Sequence, residues 1–155
     1  MIQAREVFRL HGNASITVSG DASLEYVLAY LGHEEHIRGV FLVDAAKKFK
    51  DVLTSSDIRK WVYIELFGGK VRHEIPISTF YQIADAKKAR DLVRSDYRSL
   101  GVRETDSLQT ALDKMLDFDE DIIPVLDSEG HILGDLGLSE VLLKSLEIGK
   151  QRKGT

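Results

Sequence analysis

The stretch "VFLVDAAKKFKDVLTSSDI", residues 40–58, has a counterpart in "IPVLDSEGHILGDLGLSEV", residues 123–141. Both open on an apolar strand ending in aspartate, turn through polar residues, return as a second strand, and run into a helix. The turn is explicit in "DSEG" at 127–130, with Asp first and Gly fourth, as a tight turn prefers. A match at an offset of 83 residues reads as one structural unit written twice, which governs how every other motif is read.

Working outward, "ASLEYVLAYL" at 22–31 answers to "DSLQTALDKM" at 106–115, and "REVFR" at 5–9 to "RDLVR" at 90–94. The order is kept and the offset drifts by one residue at each step. Each copy therefore reads β-α-β-β-α, led by a short strand ("SITV" from 15, "SLGV" from 99). In the second copy Leu108, Ala111, Leu112, Met115 and Leu116 follow helical spacing and predict one buried face. Ser107, or Asp106 before it, is placed to cap that helix, and Gly32 to end its counterpart. The expected class is α+β, with both helices of a copy on one side of a small sheet. The expected division is 1–67 for the first repeat, 68–88 for a connector, 89–149 for the second repeat and 150–155 for a basic tail. The connector contains "EIPISTFYQIADAKKA", whose apolar residues predict packing rather than a free tether.

The totals exclude several classes. The 155 residues are 43% hydrophobic, and no apolar run approaches a membrane span. A net charge of -4 and a pI near 5.7 argue against nucleic acid as partner. With no cysteine there is no disulfide, thiolate nucleophile or cysteine-held zinc. Charges in "MIQAREVFRL" break the apolar core a signal peptide needs, so a cytoplasmic location is expected. "HEEH" at 33–36 has metal-like spacing but no further ligand beside it, and reads as a solvated loop. "DFDED" at 117–121 lacks the alternation and glycine of a calcium loop. His11, His73 and His131 are scattered, and no phosphate loop or nucleophile elbow is present, so neither catalysis nor a catalytic cofactor is expected.

A tandem β-α-β-β-α unit whose second strand ends in an apolar pair and Asp resembles the CBS domain, a pair of which forms a Bateman module. The resemblance implies two repeats packed sheet to sheet with pseudo-twofold symmetry, and clefts for adenine nucleotides or other adenosyl compounds. Its ligand signature runs glycine, two apolar residues, threonine or serine, two variable residues, aspartate. In "DVLTSSD" Thr54 and Asp57 match, while Asp51 stands at the glycine. In "GDLGLSE" Gly134 matches, but Gly137 replaces the hydroxyl and Glu140 the aspartate. Phe41 also stands where the second copy has the more usual Pro124. By resemblance the aspartate accepts from both ribose hydroxyls, and the threonine lies near ribose and phosphate.

The chemistry suits those residues. A carboxylate held at a helix start can accept from a vicinal diol, each charge-assisted bond contributing about 1.5–3 kcal/mol. Thr54, Ser55 and Ser56 add hydroxyls, and free N–H groups there favour an anion. "TSSD" before an apolar helix is equally a capping sequence, with Ser55, Ser56 or Asp57 meeting orphan donors. By resemblance Thr17 is the contact to the base edge, and Val18, Val40 and Val52 are candidates for an apolar wall around it. Arg38, Lys47, Arg59 and Arg98 are the cations available to a phosphate, each also readable as a solvated charge. The departures at Gly137 and Glu140 imply one well-formed cleft and one degenerate one.

Ile58, Trp61, Val62, Tyr63, Ile64, Leu66 and Phe67 leave the helix after Thr54 little polar face. Either a homodimer through repeat helices or the connector covers it. The expected function is a regulatory module for an AMP, ADP, ATP or S-adenosylmethionine type ligand, signalling to a separate effector protein. The alternative is a structural dimerisation module with empty clefts.

Overall fold

The computed structural model describes residues 1–10, 15–34, 39–68, 75–94 and 96–154. The fold is α+β and divides into two compact units, Ile16–Asp96 and Met1–Ser15 with Tyr97–Thr155.

In the first, strands β2 (Ile16–Ser19), β3 (Val40–Val43) and β4 (Phe49–Leu53) form a three-stranded sheet in the order β2-β3-β4. β3 is parallel to β2 and antiparallel to β4. Strand alternation sends Val40, Leu42 and Leu53 to one face, where helices α1 (Leu24–His33), α2 (Ser55–Phe67), α3 (Ile77–Ala84) and α4 (Ala89–Leu92) share a core with them. Phe41, opposite Val52 in register, occupies the other face and stacks edge-on against Phe49 at 6.1 Å.

The second unit repeats this plan. β5 (Val102–Arg103), α5 (Leu108–Phe118), β6 (Ile122–Leu126), β7 (Ile132–Gly137) and α6 (Leu138–Lys153) follow in order. β1 (Arg9–Leu10) adds a fourth strand, antiparallel to β7. The two hairpins agree in register: Val40 faces Leu53 as Ile123 faces Leu136, and the irregularity after Leu42 recurs after Val125. Their turns agree as well. Asp44 accepts from the backbone N–H groups of Ala46 and Lys48, and Asp127 from those of Glu129 and His131. The Lys48 N–H bond holds the Asp44 carboxyl below the ordinary carboxylate range, and the His131 N–H bond does the same at Asp127.

The short segments ahead of each repeat are exchanged. Ala89 and Arg90 donate backbone bonds to Ala22 and Gly20, while Leu24 donates to Lys87. In the other unit Ala4 and Arg5 donate to Asp106 and Glu104, while Leu108 donates to Ile2. Ala4 and Ala89 are both fully buried. The matching "REVFR" and "RDLVR" thus lead each repeat in sequence but pack in the unit that holds the other.

One expectation needs correction, and another is met in part. Leu116 is not part of the buried face of α5 but 79% exposed, while Ala111 and Met115 are buried as expected. One side of α2 is covered by its own chain, with Ile64 buried and Ile58 and Trp61 packed into the core that α3 completes through Ile83, while Val62, Leu66 and Phe67 remain exposed. Ser107 caps α5 by accepting the Thr110 N–H. Of the connector, residues 69–74 lie outside the described residues.

Candidate functional site

β4 passes into α2 with one residue between them. Thr54 keeps extended backbone angles (φ -91°, ψ 160°) and is the N-cap of the helix. Its Oγ1 accepts the Asp57 N–H at 3.1 Å, and its own N–H donates to Asp57 Oδ2 at 3.1 Å. This is a reciprocal capping box, with aspartate in the place of the usual glutamate. The cap is therefore Thr54, rather than the two serines. Thr54 and Asp57 are buried, at 9% and 2% exposure, and Ser55 and Ser56 are exposed. The carboxylate is fixed in direction by a bond to a rigid strand end, with lone pairs to spare on its two oxygens.

The corresponding corner of the other unit has the same backbone and different chemistry. Gly137 caps α6 with φ -113° and ψ 159°, but has no hydroxyl to accept an N–H. Glu140 is half-buried and accepts from the Ser139 hydroxyl beside it.

The remaining expected residues are spread. Val40 is buried in the core with Leu24, Val27 and Leu53, and Val18 packs against the same cluster, so both face the helices. Thr17 is paired with Phe41 and shares the opposite face with Phe41 and Val52. Lys47 sits in the hairpin turn, at the far end of β4 from Thr54, and Arg59 is exposed on α2. Arg38, His11, Glu35, His36 and His73 lie outside the described residues.

A feature the sequence did not disclose is a 340 Å³ cleft at the hairpin end of the same sheet, lined by Asp21, Asp44, Lys50, Asp51 and Arg90. Thr54 does not line it, and its charges pair across it: Arg90 with Asp21 at 2.9 Å, Lys50 with Asp44 at 3.4 Å. Among the described residues no cluster of three or more acidic, histidine or cysteine side chains is placed to hold a metal. No helix among them is long and apolar enough to cross a membrane.

No curated protein matches the chain. Among solved structures, CBSX2 in complex with AMP is similar at 21% identity and TM-score 0.71, over 96% of this chain and 99% of that one. A CBS domain-containing protein from Thermotoga maritima follows at 22% identity and TM-score 0.66, covering 92% and 93%. The CBS domain pair of protein MJ0100, in complex with 5′-methylthioadenosine and S-adenosyl-L-methionine, has 16% identity and TM-score 0.59, covering 90% and 95%. The CBS domain profile itself matches twice, at residues 7–64 and 89–147, and in both matches it spans the strand-to-helix corner described above. The chain belongs to the CBS domain family, as a tandem pair.

Proposed function

We propose that this pair is a regulatory, non-catalytic binding module for an adenosine ligand, and that the ligand's ribose is held at Asp57. The observation that carries the reading is the Thr54–Asp57 box: a buried carboxylate locked at a helix start, in the family's signature position. Oδ2 already accepts the Thr54 N–H, so the vicinal diol is met by the lone pairs the box leaves over. Thr17, Ser55 and Ser56 complete the polar set, while Val18 and Val40 belong to the core. Asp57 is only 2% exposed, so a ligand at its carboxylate selects the conformation in which that carboxylate is most open. Binding then favours one conformation over another, which is what a sensor must do to signal to a separate effector. The ligands present on CBSX2 and on the MJ0100 pair support the adenosine class.

A second reading, an interaction module acting as a homodimer through its repeat helices, is favoured by the apolar stripe of α6. Leu138, Leu142, Leu143 and Leu146 are all at least 40% exposed. The composition and charge support a cytoplasmic protein without nucleic-acid or membrane partners.

Thermal melts with AMP, ADP, ATP, S-adenosylmethionine and NAD test the first reading. At least one adenosine compound is expected to raise the melting temperature of the wild type by mass action. The shift is expected to vanish in Asp57→Ala and to persist in Glu140→Ala. A wild type indifferent to all five would leave the interaction module as the function.

A further inference from the structure

The acidic run "DFDED" at 117–121 and the basic end of α6 have no part in the ribose site, and the fold sets them at opposite ends of one helix. The Leu138 N–H, which opens α6, donates to the Asp121 carbonyl at 2.8 Å, and Ile122 pairs with Gly137, so the acidic run abuts the helix start. Asp117, Asp119 and Asp121 are exposed there. The last turn carries Lys150, Arg152 and Lys153, exposed as well. With 16 residues, α6 holds these two poles about 24 Å apart. Between them run the exposed Leu138, Leu142, Leu143 and Leu146, while Val141 is turned inward. Lys144 and Glu147 pair with each other at 3.7 Å, which leaves the net charge of the helix to its ends. Gly149 continues the stripe beyond Leu146, and a Cβ there would meet nothing within 4 Å. Packing within the chain therefore does not call for a glycine, which is unfavourable inside a helix and suits a place where a second backbone comes close.

Building on the homodimer reading above, we infer that two copies pair α6 against α6 in antiparallel fashion, the basic end of each helix lying against the acidic run of the other. A twofold contact between identical helices ranges between two limits, parallel and antiparallel. Parallel packing sets acidic run on acidic run and basic end on basic end, which repels at both poles. Antiparallel packing brings opposite charges together twice, and it also aligns the two helix dipoles favourably. The counterpart is the second copy's α6 rather than its α2, because the matching positions of α2 are Ser55, Arg59 and Tyr63. The leucines supply the contact and the poles set its direction.

Sedimentation equilibrium of the full chain tests that direction. The variants are Asp117→Lys with Asp121→Lys, Lys150→Glu with Lys153→Glu, and all four changes together, every one at an exposed position. Each pair of changes is expected to weaken the dimer about tenfold, because attraction at both contacts becomes repulsion. The quadruple variant exchanges the poles and is expected to return to within about threefold of the wild-type dimer constant. Raising salt from about 0.05 M to about 0.5 M is expected to weaken the wild-type dimer, since screening removes the attraction. Pairs of changes that leave dimerisation untouched, or a quadruple variant no tighter than either pair, overturn the antiparallel arrangement and leave the homodimer reading standing. A wild type that is monomeric at about 50 µM overturns the homodimer and the inference together. Should a variant lose its circular dichroism, the salt series on wild type decides alone: a weaker dimer at high salt supports the arrangement, and an unchanged or tighter one refutes it.

Discussion

Lys47 and Gly130 occupy the same place in the two hairpin turns, and both have positive φ, 65° and 90°. The turn demands that conformation because Asp44 and Asp127 each gather two backbone N–H groups around it. Glycine adopts it without strain, whereas a lysine there costs about 1–2 kcal/mol, partly offset by glycine's larger entropy loss on folding. Lys47→Gly is therefore expected to stabilise the protein by about 0.5 kcal/mol, and Gly130→Lys to destabilise it by about 1 kcal/mol. Urea unfolding of the two variants checks both signs. The same logic of one position with two chemistries governs Thr54 and Gly137, where near-identical backbone angles carry a cap in one unit and none in the other.

At the scale of elements, α2 and α6 begin alike and then diverge. Where α2 has Trp61 and Ile64, packed under α3, α6 has Lys144 and Glu147, so no second α3 could dock there. Val141 of α6 is buried, and its exposed leucines fall at Leu138, Leu142 and Leu146, a stripe at i, i+4 and i+8 with Leu143 beside it. The corresponding positions of α2 are Ser55, Arg59 and Tyr63. Exposed leucines at that spacing suit an interface between helices. The proposed homodimer predicts that sedimentation shows a dimer for wild type and a monomer for Leu142→Glu combined with Leu146→Glu, with the circular dichroism of the fold retained. A wild type that sediments as a monomer at tens of micromolar (about the range in which weak interfaces fill) would remove the dimer from the proposal.

For the whole molecule, the exchange of leading segments decides which pieces can fold. α4 has only four residues, too few to be stable alone, and it forms because Ala89 and Leu92 are fully buried among α1 and the sheet. Residues 16–96 contain that segment and every backbone bond that docks it. Residues 1–67, the repeat as sequence divides it, lack Ile83, Ala89 and Leu92, all at 0% exposure, and leave Leu24 and Val27 uncovered. A fragment spanning 16–96 is expected to unfold cooperatively in urea, and one spanning 1–67 to show no folded baseline. Equal behaviour of the two fragments would show that the docked segment contributes little.

The sequence by itself determined the repeat, the β-α-β-β-α order within each copy and the hairpin turn at 127–130, and it singled out the Thr54–Asp57 corner as the candidate site. These are local or periodic matters: alternation fixes a strand's faces, an aspartate and a glycine fix a turn, and a small hydroxyl three residues before a carboxylate fixes a helix start. Tertiary structure alone decided the rest. That "REVFR" and "RDLVR" change places depends on contacts between residues far apart in the chain, and no periodicity records them. That Val40 serves the core, that Leu116 faces solvent and that α3 covers α2 are settled by what packs against each face. Spacing names a face, but only the folded chain supplies its neighbour.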